Sequence, residues 1–366
     1  MKTCGIVVEY NPFHNGHLIH IEKSREQSGC ECLIAVMSGN YVQRGEFAIA
    51  DKWQRTECAL EHGVDLVVEL PLILTLQSAT VFGENSAGLL KLLGVDHIAF
   101  GSETANLEEL QKIASLPVNV NYLKERMRKG ESYPKAYGLL SDSVYPNDRL
   151  AICYLRALLD SDVKPLAIKR NDNANDEMID TVCSARAIRK AVLNGQDYHN
   201  STPMEIRSPV CNADLWPYLR RLLIMSDRES LEKIFLVREG IEKMLKDNAE
   251  KYENYEDFLR ASISKRYTRG RIQRTLMQIV LGNKKEEVSA FSSPGYLRVL
   301  GFNATGRQFL KEYEGPGKVI TTFKEIPPSY KLFEERGSKL YASLFPEEKR
   351  KELLKRELQG PIIKMQ

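Results

Sequence analysis

The chain has only two tryptophans and six histidines among 366 residues, so a histidine that recurs within a motif stands out. It has no apolar run approaching the roughly 18 residues of a membrane-crossing helix, and no export-signal pattern. A soluble, cytoplasmic protein with no membrane partner is therefore expected. An excess of charge of one sign is also missing: 52 Lys and Arg face 49 Asp and Glu, for a net charge of +3. Any surface for nucleic acid must then be a local patch. The seven cysteines, Cys4, Cys30, Cys32, Cys58, Cys153, Cys183 and Cys211, are odd in number and scattered. That pattern excludes a disulfide framework or a zinc knuckle and fits a reducing compartment. No repeat or low-complexity tract is present. The length exceeds the roughly 250–300 residues that one core usually spans, so two domains are expected.

Against this background one stretch organises the rest: Gly5-Ile6-Val7-Val8-Glu9-Tyr10-Asn11-Pro12-Phe13-His14-Asn15-Gly16-His17. An apolar run ending in Asn-Pro must leave its strand, because Pro12 lacks an N–H and restricts the residue before it. The helical pattern Leu18, Ile21, Glu22, Arg25 follows. The turn therefore lies at the carboxyl edge of a sheet, where open α/β folds bind ligands, beside a helix N-terminus suited to phosphate. Gly16 lets a nucleotide approach the backbone, and His14 and His17 can donate hydrogen bonds to phosphate oxygens. By spacing alone, two histidines three apart can equally be surface residues or part of a metal site. The flanking strand and helix favour the nucleotide. No cysteine or third histidine stands at a zinc-ligand spacing nearby, so no metal-ligating set is expected.

Further strands are expected over residues 33–39, 64–71, 97–103 and 165–170, with helices over 51–62 and 79–93 between them. Strand, helix, strand order at this spacing gives a parallel sheet. Residues 40–46 read as a loop over the same edge. Gly101 ends its strand either as a plain terminator or beside a ligand. The charged stretch 107–141 bunches Lys124, Arg126, Arg128 and Lys129, which suits a solvated face or an RNA contact. Asn147 is placed as a helix N-cap. Ser184 opens a helix that carries Arg189 and stops at Gly195, which is either a capped amphipathic helix or a phosphate site. Residues 196–210 read as a linker, and helices are expected over 215–225, 231–248, 255–264 and 269–281, enough for a bundle. Lys265, Arg266, Arg269, Arg271 and Arg274 cluster around Tyr267. Cations for phosphates and a ring for stacking suit RNA, although solvated helices share the pattern.

Strand, His-x-Gly-His and helix together resemble the HxGH nucleotidyltransferase superfamily. The longer run over residues 7–17 is similar to one family in particular, the bacterial tRNA(Met) cytidine acetate ligases. Arg44-Gly45-Glu46, Asp51-Lys52-Trp53, Asp65-Leu66-Val67-Val68-Glu69-Leu70-Pro71, Phe100-Gly101-Ser102-Glu103, the stretch 264–274 and Tyr296-Leu297-Arg298-Val299-Leu300-Gly301-Phe302-Asn303 with Gly306-Arg307 resemble further blocks of that family, in the same order. The resemblance implies an α/β, Rossmann-like nucleotidyltransferase domain with a parallel sheet over 1–195, then a mainly α-helical tRNA-binding domain over 211–366. It implies His14 and His17 as catalytic residues. It implies ATP contacts from Val7, Val8, Glu9, Tyr10, Asn11, Pro12, Phe13, Asn15, Gly16, Leu18, Gly101, Asn147, Arg170, Ser184 and Arg189, and tRNA contacts from the basic cluster. The implied activity joins acetate to the N4 amine of the wobble cytidine of elongator tRNA(Met). ATP would be consumed through an acetyl-adenylate, with Mg²⁺ carried by the ATP and no acetyl-CoA. Three positions depart from the family pattern. Phe47 replaces a usual proline, which implies a looser loop; Asp148 replaces an asparagine; and Arg186 stands where threonine is usual. A metabolite adenylyltransferase and an RNA-binding module with a degenerate nucleotide pocket are the competing readings.

Overall fold

The computed structural model describes residues 1–117, 125, 145–170, 181–291 and 293–365. The basic run at Lys124, Arg126, Arg128 and Lys129 and the asparagine-rich loop 171–176 therefore lie outside the described residues. The expected strands form with small shifts at their ends: β1 (Thr3–Val8), β2 (Cys32–Ser38), β5 (Leu66–Leu70), β6 (His97–Ser102) and β7 (Lys164–Lys169). Between them run α1 (Asn15–Ser28), α2 (Lys52–Glu61), a short α3 (Leu72–Thr75) and α4 (Ala79–Leu92). Two short strands, β3 (Tyr41–Val42) and β4 (Glu46–Phe47), turn the expected 40–46 loop into an antiparallel hairpin.

The main sheet runs in the order β10 (Ile362–Lys364), β8 (Leu297–Asn303), β5, β2, β1, β6 and β7, with β9 (Val319–Ile320) beside β8. From β1 the chain builds outward through β2 and β5, then returns to the other flank of β1 with β6 and β7. The switch point falls between β1 and β6, so the carboxyl ends there splay into a crevice. Side chains of β2 alternate between two cores, as a period of two requires. Cys32, Ile34 and Val36 face one, and Leu33, Ala35 and Met37 the other. With helices on both faces the strand is buried throughout, which is why it reads as unbroken apolar sequence.

The last third of the chain departs from the expected arrangement. Residues Leu297–Asn303 form β8, which pairs antiparallel with β5, and β9 (Val319–Ile320) and β10 (Ile362–Lys364) flank it. The sheet is thus mostly but not wholly parallel, and the strands beyond β5 on one flank come from the segment expected to be helical. Conversely, Tyr41, Phe47, Leu72 and Leu76 of the first part lie in the core of the helical part, with Trp216, Phe258 and Leu276. The expected helix over 231–248 is two, Arg228–Glu232 and Ile241–Lys251. Leu236, Glu239 and Gly240 all take positive φ between them. The break turns the Leu236 carbonyl toward Arg271 and the Glu239 carbonyl toward Tyr267. Among the described residues, no helix is long and apolar enough to cross a membrane.

Candidate active site

The turn after β1 is built by its own side chains. Tyr10 takes a positive φ of 48°, and the Asn11–Pro12 bond is cis. His14 caps α1: its Nδ1 accepts from the Gly16 N–H at 3.1 Å, while the His14 N–H donates to His17 Nδ1, also at 3.1 Å. Each Nδ1 being an acceptor, the proton of each neutral ring sits on Nε2. The two rings lie 3.8 Å apart, and Tyr10 meets His17 edge-on at 4.8 Å. A Cβ on Gly16 would come within 2.8 Å of His14 Cε1, so the capping ring fits only over glycine. Burial, reinforced by His14, His20 and Arg170, drives the His17 pKa well below the usual imidazole range. His17 is thus a neutral donor at physiological pH, able to give a hydrogen bond without carrying charge.

The neighbouring strand ends bring other sequence-expected residues to this edge. A Cβ at Gly101 on β6 would lie 3.1 Å from Arg170 Cδ, just past β7. Arg170 in turn is near enough to His17 to help keep it neutral. Ser184 caps helix Ala185–Leu193 by accepting from the Ala187 N–H, and that helix carries Arg189 back to the turn, where Nη1 donates to the Asn11 carbonyl at 2.7 Å. Val8, Tyr10, Asn11, Pro12 and Phe13 are buried, and Val7, Glu9, Asn15, Gly16 and Leu18 only partly so. The Asn15 amide reaches away from the turn to the carbonyls of Thr181 and Asn200.

Asn147 does not cap its helix. Tyr145 is the N-cap residue and Pro146 occupies the first turn of Pro146–Ala157, a position where its missing N–H costs nothing. The Asn147 amide donates to Glu103 Oε1 at 2.7 Å at the end of β6. Asp148 is buried, its carboxylate accepting from Ser102 Oγ and from the Glu103 and Thr104 N–H groups. Asp148 is therefore taken up in locking the helix to the strand end, and Asn147 is the one left half-exposed.

Beside this edge opens a cavity of about 1290 Å³ lined by cations. Arg186, Arg189 and Lys190 stand on one wall and Arg266, Arg269, Arg271 and Arg274 on the other. Lys265 is exposed and outside the lining. Burial and the neighbouring Arg271 lower the Arg274 pKa to about 10, still charged at neutral pH. Arg269 pairs with Glu256 at 2.9 Å and Arg266 with Glu239 at 3.5 Å, both in partly exposed settings. Tyr267 overturns one expectation. Its ring is 8 % exposed within the helical core and its hydroxyl donates to the Glu239 carbonyl, so it is not available to stack on a base. The lining also includes Arg44, noted in the sequence only as part of a family block, and Arg149, Arg156, Arg238 and Arg260, which the sequence did not single out. They are scattered over more than 200 positions, with no spacing that marks them as a set.

Comparison with known proteins agrees with this geometry. The family model described as HIGH Nucleotidyl Transferase matches residues 1–357. A tRNA(Met) cytidine acetate ligase of Oceanobacillus iheyensis is 37 % identical over 99 % of this chain and 100 % of its own length, and one of Acetivibrio thermocellus is 36 % identical over 88 % of each. The chain belongs to the tRNA(Met) cytidine acetate ligase family of HIGH nucleotidyltransferases. A solved member, TmcAL of Thermotoga maritima, superimposes with a TM-score of 0.90 at 31 % identity, covering 100 % of both chains. A second crystal form of it, bound with alpha-thio ATP, gives 0.88 at 30 %.

Family blocks that look functional in sequence divide sharply in space. Asp51 caps α2, and Asp65 accepts from Arg25, the Leu33 N–H and Asn303, so these acids hold the fold together. Phe47, expected to loosen its loop, is 2 % exposed, packs on Tyr41 and Tyr341, and donates its N–H to Asn212. Arg186 is exposed on the cavity wall, adding a cation beside Arg189.

Proposed function

We propose that this protein joins acetate to the N4 amine of the wobble cytidine of elongator tRNA(Met), using ATP. The observation that carries the reading is the single cationic cavity running from the Arg189 helix at the nucleotide edge to the basic helix Arg269–Leu281. Of the expected nucleotide-edge residues only Arg189 lines this cavity, so the edge touches the field of cations at that side chain, a placement that suits two substrates that must meet. The names of the relatives support the same reading.

In the first step an acetate oxygen attacks the α-phosphorus of ATP and pyrophosphate leaves, giving acetyl-adenylate. A carboxylate is already nucleophilic at neutral pH, so the step needs positioning and charge stabilisation more than a base. His14 and His17 would donate from Nε2 to the phosphate oxygens, and Arg170 and Arg189 would offset the developing charge. Ser184, Gly101 and Asn147, with the backbone of residues 7–18, would cradle the nucleotide. Mg²⁺ would arrive on the phosphates of ATP; among the described residues no group of three or more His, Cys, Asp or Glu is arranged to hold a metal. In the second step the cytidine amine attacks the acetyl carbonyl, AMP leaves and the amine loses a proton. Lys265, Arg266, Arg269, Arg271 and Arg274 would hold the tRNA backbone.

Labelled acetate, ATP and bulk tRNA should give tRNA carrying N4-acetylcytidine, with AMP and pyrophosphate formed in step. Acetylated tRNA from labelled acetyl-CoA without ATP would make the protein an acetyltransferase. Adenylate transfer to a small metabolite with tRNA omitted would favour the adenylyltransferase reading, and no ATP binding at all would leave an RNA-binding module.

A further inference from the structure

The two walls of the cavity are joined by the hairpin β3–β4. Gly45, at its tip, has φ +80°, and a Cβ there would overlap the backbone of Gln273 and Arg274 in the basic helix. The hairpin therefore sits backbone against backbone on that helix, with no side chain between them to absorb a displacement. Asn212 fastens the same tip, donating to the Gly45 carbonyl at 2.9 Å and accepting from the Phe47 N–H at 3.0 Å. In the same turn the Gln43 N–H donates to Glu9 at 2.6 Å, two residues before Asn11.

Glu46 lies at the centre of this junction. One carboxylate oxygen accepts from Gln273 Nε2 at 2.9 Å, and the other faces Arg189 Nη2 at 3.9 Å. Arg189 has a second anchor, the Asn11 carbonyl within the histidine turn. Gln273 is 2 % exposed, so its amide has no freedom to seek water instead. Of the acidic residues lining the cavity, Glu256 is engaged by Arg269, whereas Glu46 reaches from one wall to the other.

We propose that Glu46 is a positioning residue linking the two substrate sites, so that tRNA and ATP each strengthen the binding of the other. The proposal rests on the functional reading above. Phosphates settling on the basic helix set the position of that helix; the buried Gln273 carries this position to the Glu46 carboxylate; and Glu46 holds the Arg189 guanidinium where a nucleotide phosphate would meet it. Linkage of this kind is reciprocal, and couplings between sites usually amount to about 5–150-fold in affinity. Its use is economy: ATP would be held best when an acceptor for the acetyl group is present.

The test is the dissociation constant of ATP, without acetate so that nothing turns over, in the presence and absence of saturating elongator tRNA(Met) transcript. The wild-type protein should bind ATP about fivefold or more tightly with the transcript. Glu46→Gln keeps an acceptor for Gln273 but removes the charge facing Arg189. Gln273→Ala keeps the charge but releases the tether. Both should bring the ratio of the two constants to within about twofold of one, while each variant still binds either ligand alone. A wild-type ratio below about twofold, negative linkage included, would overturn the proposal. So would a ratio that survives in both variants. Failure of the wild type to bind the transcript at all would instead sink the functional reading, and the junction with it.

Discussion

Two regions of this molecule are rich in charge, and they are organised on opposite principles. Inside the protein, Lys52 Nζ lies 2.8 Å from Glu69 and 2.9 Å from Glu357, while Arg298 Nη1 lies 3.1 Å from Glu69 and 2.7 Å from Glu357. These side chains are buried and their charges cancel, two against two. Burial alone would raise the Glu357 pKa, but Lys52 and Arg298 outweigh it and hold that carboxyl down to about 2. The cavity wall is the reverse: partly exposed and crowded with arginines, with Glu46 and Glu256 as the carboxylates among the described lining residues. Charge that is neutralised in place ties α2, β5, β8 and the helix Glu347–Glu357 to one another. Cations gathered on an open wall attract an anion from outside. Both regions draw on family blocks, so a run of motif residues does not by itself say which role it serves.

The sharpest way to break this contrast is to remove one charge from the interior. Arg298→Ala leaves Glu69 and Glu357 sharing Lys52, and should cost about 3–5 kcal/mol of stability, the range for stranding a buried charge. Denaturant unfolding checks it, and a loss below about 1 kcal/mol would mean that the interior set is not a compensated unit. On the catalytic side, His17→Ala should slow acetyl-adenylate formation by about 10²–10³ while the protein stays folded, at a cost of about 0.5–2 kcal/mol for the lost helix-cap acceptor. Because His17 is neutral well below its usual pKa, the wild-type rate should show no step from this residue between about pH 6 and 8. Near wild-type rates in the variant would remove His17 from the chemistry.

A smaller effect lies at Glu334, beside the compensated set, where burial and then Glu69 raise the carboxyl pKa from 4.5 to about 7. Between those values the unfolded chain has released the proton that the folded chain still holds, so this group makes stability fall as pH rises through the window. Glu334→Gln, neutral throughout, should flatten that slope and gain on the wild type by on the order of 2 kcal/mol from pH 4.5 to 7.5. Parallel slopes for the two proteins would contradict the assignment. The smallest effect on the fold belongs to the cavity rim. Replacing Lys265, Arg266 and Arg269 together by Ala should leave stability within about 0.5 kcal/mol, since exposed pairs contribute little. The same change should flatten the salt dependence of tRNA affinity by two to three, about one per lost phosphate contact. An unaltered slope would return these cations to an ordinary solvated face.

The sequence by itself determined whatever is decided by neighbours along the chain. The strands β1, β2 and β5 are legible because burial on both faces demands continuous apolar runs. The histidine turn is legible because Pro12, Gly16 and the two histidines act within a few residues of one another. The Ser184 cap is a local hydrogen bond of the same kind. Only the tertiary structure decided that β8 joins β5 from nearly 230 positions away, since antiparallel pairing with β5 leaves no trace in local periodicity. It also turned Tyr267 inward, because an aromatic in a basic run reads the same whether its ring meets RNA or a core. It assigned Asp148 to the helix–strand lock and Asn147 to the open side, a distinction of one residue that depends on where Glu103 and Ser102 lie. The cavity is the plainest case. Its arginines come from helices and loops far apart in sequence, and a field that adds over distance in space has no counterpart in distance along a chain.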